Sequence, residues 1–169
     1  MPRAIRLYVR HVEALNRVVG RATMYLVFVM IAVLLTSSIA RSILDLQLLW
    51  VVEMAQMTMA AYYLLGGAYS MQLDDHVRMD LLYSRWTLRR RAFVDTITSA
   101  GILFYVVILF YGGVSSTQYA IKYGQVNYSA WAPRMAPIKI IMTIGIGLML
   151  LQVIATFFRD LATARGKQL

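Results

Sequence analysis

Apolar positions dominate the chain in four stretches that contain no Asp, Glu, Lys or Arg: residues 22–40, 54–73, 96–121 and 140–158, of 19, 20, 26 and 19 residues. A helix of about 20 apolar residues crosses the roughly 30 Å hydrocarbon core and satisfies its own backbone hydrogen bonds there. The pattern therefore predicts four transmembrane helices, over about 22–40, 47–73, 96–121 and 138–158. The second is extended backwards because residues 46–52 are also mostly apolar, which places Glu53 inside or at the edge of a longer helix. The third is long enough to tilt, or to end before its polar tail of Ser115, Ser116, Thr117 and Gln118.

Between the spans the pattern is amphipathic rather than simply polar. Residues 1–21 place Arg3, Arg6, Arg10, Arg17 and Arg21 at helical intervals, with Ile5, Val9, Val12, Leu15 and Val19 on the other face and Glu13 four residues before Arg17. This arm reads as an amphipathic helix that rests on the membrane surface or caps the helix ends, or as a basic arm that only orients insertion. In residues 74–95, Met79, Leu82, Trp86 and Phe93 interleave with arginines, which predicts a second, interfacial helical segment. Pro133 and Pro137 lie in the third connection beside Tyr128 and Trp131, and Pro137 with Lys139 marks the start of the last span.

Of the 169 residues, 60% are hydrophobic and 15% charged, which makes lipid the expected solvent and one membrane domain, 1–169, the expected organisation. The net charge of +9 raises the question of nucleic acid, but the basic residues flank apolar runs and no nucleic-acid-binding motif accompanies them. Their distribution sets orientation instead. Thirteen Lys and Arg fall in the arm, the second loop and the 159–169 tail, against four (Arg41, Lys122, Arg134, Lys139) on the other side, which predicts both termini in the cytoplasm. Ser38, Ile39 and Ala40 have the small residues of a signal cleavage site. The apolar run before them is longer than a signal core, so an uncleaved signal anchor is expected.

No cysteine is present, which removes disulfides, thiolate metal sites and a Cys nucleophile. The two histidines, His11 and His76, lie outside the spans, which leaves no haem ligand inside the membrane. No catalytic or cofactor-binding motif occurs, and no catalytic, cofactor or metal residue is expected. Glu53 is the one carboxylate placed at membrane depth. It reads either as a proton or cation site, or as a structural or subunit-contact residue near the outer interface that pairs with Arg41. His76, Arg78 and Asp80 alternate just after the second span and suit charge-assisted bonds to a neighbouring helix or chain. Ala60, Ala61, Gly66, Gly67, Ala68 and Ser70, with Gly112 and Gly113, mark close packing without saying which chain supplies the neighbour. The eleven methionines, among them Met54, Met57 and Met71, read as flexible packing.

Several of these features together resemble a known family. Trp50 and Glu53, then Gly66, Gly67 and Ala68, and above all His76, Val77, Arg78, Met79 and Asp80 are similar to the small membrane subunit, DctQ, of tripartite ATP-independent periplasmic (TRAP) transporters. Trp131, Pro133, Pro137, Lys139, Gly145, Leu151 and Gln152 resemble the family's approach to, and course along, its fourth helix. The chain departs from the family pattern in following Glu53 with Met54 and in lacking a proline near Arg85 and Trp86.

The resemblance implies a scaffold for a large elevator-type permease subunit, in sodium-driven import of an organic acid or similar solute delivered by an extracytoplasmic binding protein. It implies no cofactor in this chain, with sodium in the large partner, and a bacterial inner-membrane location. Trp50, Glu53, Gly66, Gly67, His76, Arg78 and Asp80 are the expected subunit-contact or structural residues. Arg6, Arg10, Arg17, Trp86, Arg89, Arg90 and Trp131 are the expected lipid-interface residues. Two other readings stand beside it: a self-sufficient small proton- or cation-coupled transporter, and an anchor or assembly subunit of another complex.

Overall fold

The computed structural model describes residues 3–73 and 88–164. Five helices account for nearly all of them: α1 Arg3–Met24, α2 Leu26–Leu44, α3 Trp50–Gln72, α4 Leu88–Lys122 and α5 Ala136–Ala164. Among the described residues there is no strand, only an isolated antiparallel bridge between Val126 and Arg134 in the loop before α5. Among the described residues, three stretches are long and apolar enough to cross a membrane: Ile5–Leu44, Ile97–Lys122 and Ala136–Arg159. The 23-residue α3 is long enough but less apolar, because Gln56, Thr58, Ser70 and three tyrosines dilute it. Its polar and small residues go with its position, since α3 packs against α1, α2 and α5 and needs lipid solvation least.

The helices form a row rather than a closed bundle. Helix α2 packs on α3, α3 on α5 and α5 on α4, while α1 lies across α3 and α5 at one end. The inner pair α3 and α5 runs parallel, with Leu64 beside Gly145 and Gly67 beside Met149. The outer helices run antiparallel to them: Phe110 and Gly113 of α4 meet Gly147 and Thr143 of α5. Each edge helix therefore has one long seam, and its other surfaces are apolar and open. Phe28, Leu35, Ile39 and Ile43 on α2, and Phe104, Tyr105, Ile108 and Tyr111 on α4, are all exposed.

Several boundaries differ from the sequence pattern for identifiable reasons. The arm helix runs to Met24 and breaks only at Tyr25, where the amide of Tyr25 bonds the carbonyl of Ala22 and that of Phe28 bonds Tyr25, three-residue spacings that interrupt the α-helical ladder. Helix α2 ends with Asp45 in the left-handed region (φ 52°) and the Leu46 amide on the Ala40 carbonyl, a helix-terminating turn. That turn keeps residues 46–49 out of α3, so Glu53 sits in the first turn of α3 and not inside a longer helix. Helix α4 does not stop before Ser115; it continues to Lys122 because Thr117 turns its hydroxyl onto α5. Residues 88–95, expected in a separate interfacial segment, are the opening turns of α4 instead, with no proline to interrupt them. At 35 residues α4 measures about 52 Å at 1.5 Å per residue, well beyond a hydrocarbon core of about 30 Å. The rest of the expected segment lies outside the described residues.

Candidate functional site: the seams of the helix row

The α1 junction is the most polar seam. Val9 and Val12 are buried against Ala155 of α5, with Ile5, Tyr8 and Leu151 around them, and the Tyr8 hydroxyl donates to the Leu151 carbonyl at 3.2 Å. One turn on, Asn16 occupies the inward position and Leu15 is exposed. The Asn16 Nδ2 donates to Oε1 of Gln152 at 2.7 Å, and both side chains are only 1% exposed. Asn16 Oδ1 and Gln152 Nε2 have no partner among the described residues, so this buried amide pair is half satisfied. Glu13 pairs with Arg159 of α5 at 3.9 Å rather than with Arg17. Further along α1, Gly20 is buried against the ring base of Tyr69, where a Cβ would collide, and Thr23 is buried facing Gly66.

Several of the expected small residues make contacts within this chain. Gly66 faces Thr23 of α1, and a Cβ on Gly67 would stand 3.2 Å from the sulfur of Met149 on α5. Gly113 fits against Thr143, while Gly112 faces open space. The closest backbone approach is at Gly145, where a Cβ would come within 2.7 Å of the Leu64 carbonyl oxygen. Met71 packs on Val106, Ile146 and Val153, as a flexible filler where α3, α4 and α5 meet. On the α4 side, the hydroxyls of Thr117 and Thr143 lie 2.8 Å apart and each lies within 3.1 Å of the Lys139 carbonyl, so their two protons serve two of these three contacts, while Lys139 Nζ donates to Gln125 Oε1 at 2.7 Å.

Trp50 and Glu53 are half-buried at the start of α3. No ion pair joins Glu53 to Arg41, whose side chain is exposed, and Glu53 Oε2 is buried without a hydrogen-bond partner. Arg6, Arg10 and Arg17 are exposed, Arg17 at the edge of the seam with α3, and Trp131 is 42% exposed in the loop before α5. Arg89 and Arg90 fall in the first turn of α4. His76, Arg78, Asp80 and Trp86 lie outside the described residues. No group of three His, Cys, Asp or Glu side chains suited to a metal occurs among the described residues.

Sequence reasoning missed Gly20, Asn16 and the inward role of Gln152. The available signal was the spacing Val9, Val12, Asn16, Gly20, Thr23, a continuous stripe at intervals of three and four that turns from apolar to small and polar.

The family model described as tripartite ATP-independent periplasmic transporters, DctQ component, matches residues 30–163. The chain belongs to the DctQ family. It is thus a TRAP transporter small membrane subunit and a multi-pass membrane protein, and its family is a transporter component and not an enzyme family. The match covers the whole row of helices α3 to α5 and begins within α2, leaving α1 of this DctQ chain outside it. A search of curated proteins found no match.

Proposed function

We propose that this DctQ chain crosses the bacterial inner membrane four times, with both termini in the cytoplasm, and serves as the fixed scaffold of a TRAP transporter. On this reading α2 to α5 span the bilayer, and the chain widens the static wall against which a large permease subunit carries its substrate and sodium. An extracytoplasmic binding protein supplies an organic acid or similar solute. The observation that supports this best is the open row. Its polar and small groups are turned inward to hold four helices and an arm together, and both edges present long apolar faces suited to another membrane protein.

Uptake by proteoliposomes containing the large permease, the binding protein and a sodium gradient should require this chain. Full uptake without it would exclude the scaffold role. One observation favours a second reading, direct ion coupling, because Glu53 Oε2 is buried and unpartnered. A scaffold predicts that Glu53→Gln leaves uptake by the full complex near the wild-type rate. A coupling carboxylate predicts its loss, together with transport by the purified chain alone.

A further inference from the structure

Three cavities line up end to end along the seam that α1 and the start of α2 form with α3. The first, about 420 Å³, lies where the last turns of α3 and α5 meet the second half of α1, and is lined by Glu13, Arg17 and Arg21 of α1, Tyr69, Gln72 and Leu73 at the end of α3, and Arg159 of α5. The second, about 400 Å³, shares Tyr69 and Leu73 with it and runs past Gly20, Thr23 and Gly66 to Tyr62 and Tyr63. The third, about 170 Å³, shares those two tyrosines and ends among Leu26, Met30, Thr58 and Met59. The lining changes from charged, through mixed, to nearly all apolar along one path.

The charge at the open end is specific. Among the described residues, three arginines and one carboxylate line this end. Among the same residues, Arg17 and Arg21 are exposed and make no ion pair, and Gln72 Oε1 is a buried acceptor without a partner. An occupant that matches this end carries an anion for the guanidinium groups and a hydrogen-bond donor for Gln72. The length is specific too. From Tyr69 to Thr58 the path covers eleven residues of α3, about 16 Å at 1.5 Å per residue, which is the depth of one leaflet of a hydrocarbon core about 30 Å thick. The absence of a side chain at Gly66 keeps the middle open, since a Cβ there meets nothing closer than 3.9 Å.

We infer that this seam is a binding site for one anionic phosphoglycerol lipid, phosphatidylglycerol or its dimeric relative cardiolipin. The phosphate lies on Arg17 and Arg21, a glycerol hydroxyl donates to Gln72 Oε1, and one acyl chain follows the α3 face past Gly66 to Met30. The inference takes from the proposed function only that α3 spans the bilayer, and it holds whether or not the chain is a scaffold.

Native mass spectrometry of the full-length chain in detergent, titrated with phosphatidylglycerol, phosphatidylethanolamine or soluble glycerol phosphate, tests it. Phosphatidylglycerol should stay bound in preference to phosphatidylethanolamine, and glycerol phosphate alone should not compete at equal concentration. Arg17→Gln with Arg21→Gln should weaken phosphatidylglycerol binding roughly thirtyfold, about 2 kcal/mol at about 1 kcal/mol per basic residue and 1.4 kcal/mol per tenfold. Arg17→Lys with Arg21→Lys should keep most of the binding, and unchanged helical circular dichroism would show that both variants fold. Gly66→Leu, which plugs the middle cavity, should release the diacyl lipid while leaving weak glycerol phosphate binding unaltered. Equal retention of both lipids by the wild type and the Gln variant would overturn the site. So would binding of glycerol phosphate as tight as that of lipid, or a partner polypeptide crosslinked into the seam at Gly66→Cys in the assembled complex.

Discussion

Helices α1 and α2 follow one another with a single break at Tyr25, yet they solve opposite problems. Helix α1 has a stripe, and it buries that stripe: Val9, Val12, Asn16, Gly20 and Thr23 face α3 and α5, while its arginines stay outside. Helix α2 is apolar nearly all round, and of its residues only Ala40 is buried. The contrast follows from the solvent each helix is made for. An amphipathic helix gains by docking one face on protein, whereas a helix apolar on every side is already solvated by lipid and gains from protein contact only through close packing. The arm thus stabilises this chain, and α2 is left available to something else.

The contrast breaks most decisively where backbones touch. Gly145→Leu should destabilise the chain by about 3 kcal/mol or more, because its neighbour is the Leu64 backbone and cannot move aside; unfolding in mixed detergent with SDS measures it. Next in size is the buried amide pair. Asn16→Leu alone should cost about 1–3 kcal/mol by orphaning Gln152, and the double change with Gln152→Leu should recover most of that loss. A double change no better than the single ones would show that the pair's geometry, rather than its polarity, holds α1 in place. The smallest expected effect lies on α2. Leu35→Ala with Ile39→Ala should shift the isolated chain by less than about 0.5 kcal/mol per site, as at other open positions. The same variant should lower recovery of the large permease on copurification, and a large loss of stability in the isolated chain would mean that α2 packs within this subunit after all.

The sequence was most informative where one element declares itself. Runs without charge located the helices, Gly66 and Gly67 pointed to close packing, and the basic outer face of α1 was legible from the spacing of its arginines. What could not be read was which element answers each signal. Gly67 meets Met149, and Asn16 meets Gln152 across 136 positions; no local pattern encodes such a pairing. The closed end of α2 was also hidden, because residues 46–52 look continuous with α3, and only the left-handed turn at Asp45 separates them. The open row was equally invisible, since four apolar helices have the same pattern whether they close into a bundle or stand side by side.

The parallel pairing of α3 with α5 has a consequence for how the protein is made. Gly145 and Leu64 are 81 positions apart, so on the proposed four-span topology α3 enters the bilayer well before its close neighbour exists. At about 5–20 residues per second, the ribosome needs roughly 4–16 s to supply the missing helix. During that interval the glycine face of α3 stands bare in lipid, and only the arm and α2, already synthesised, are there to hold it upright.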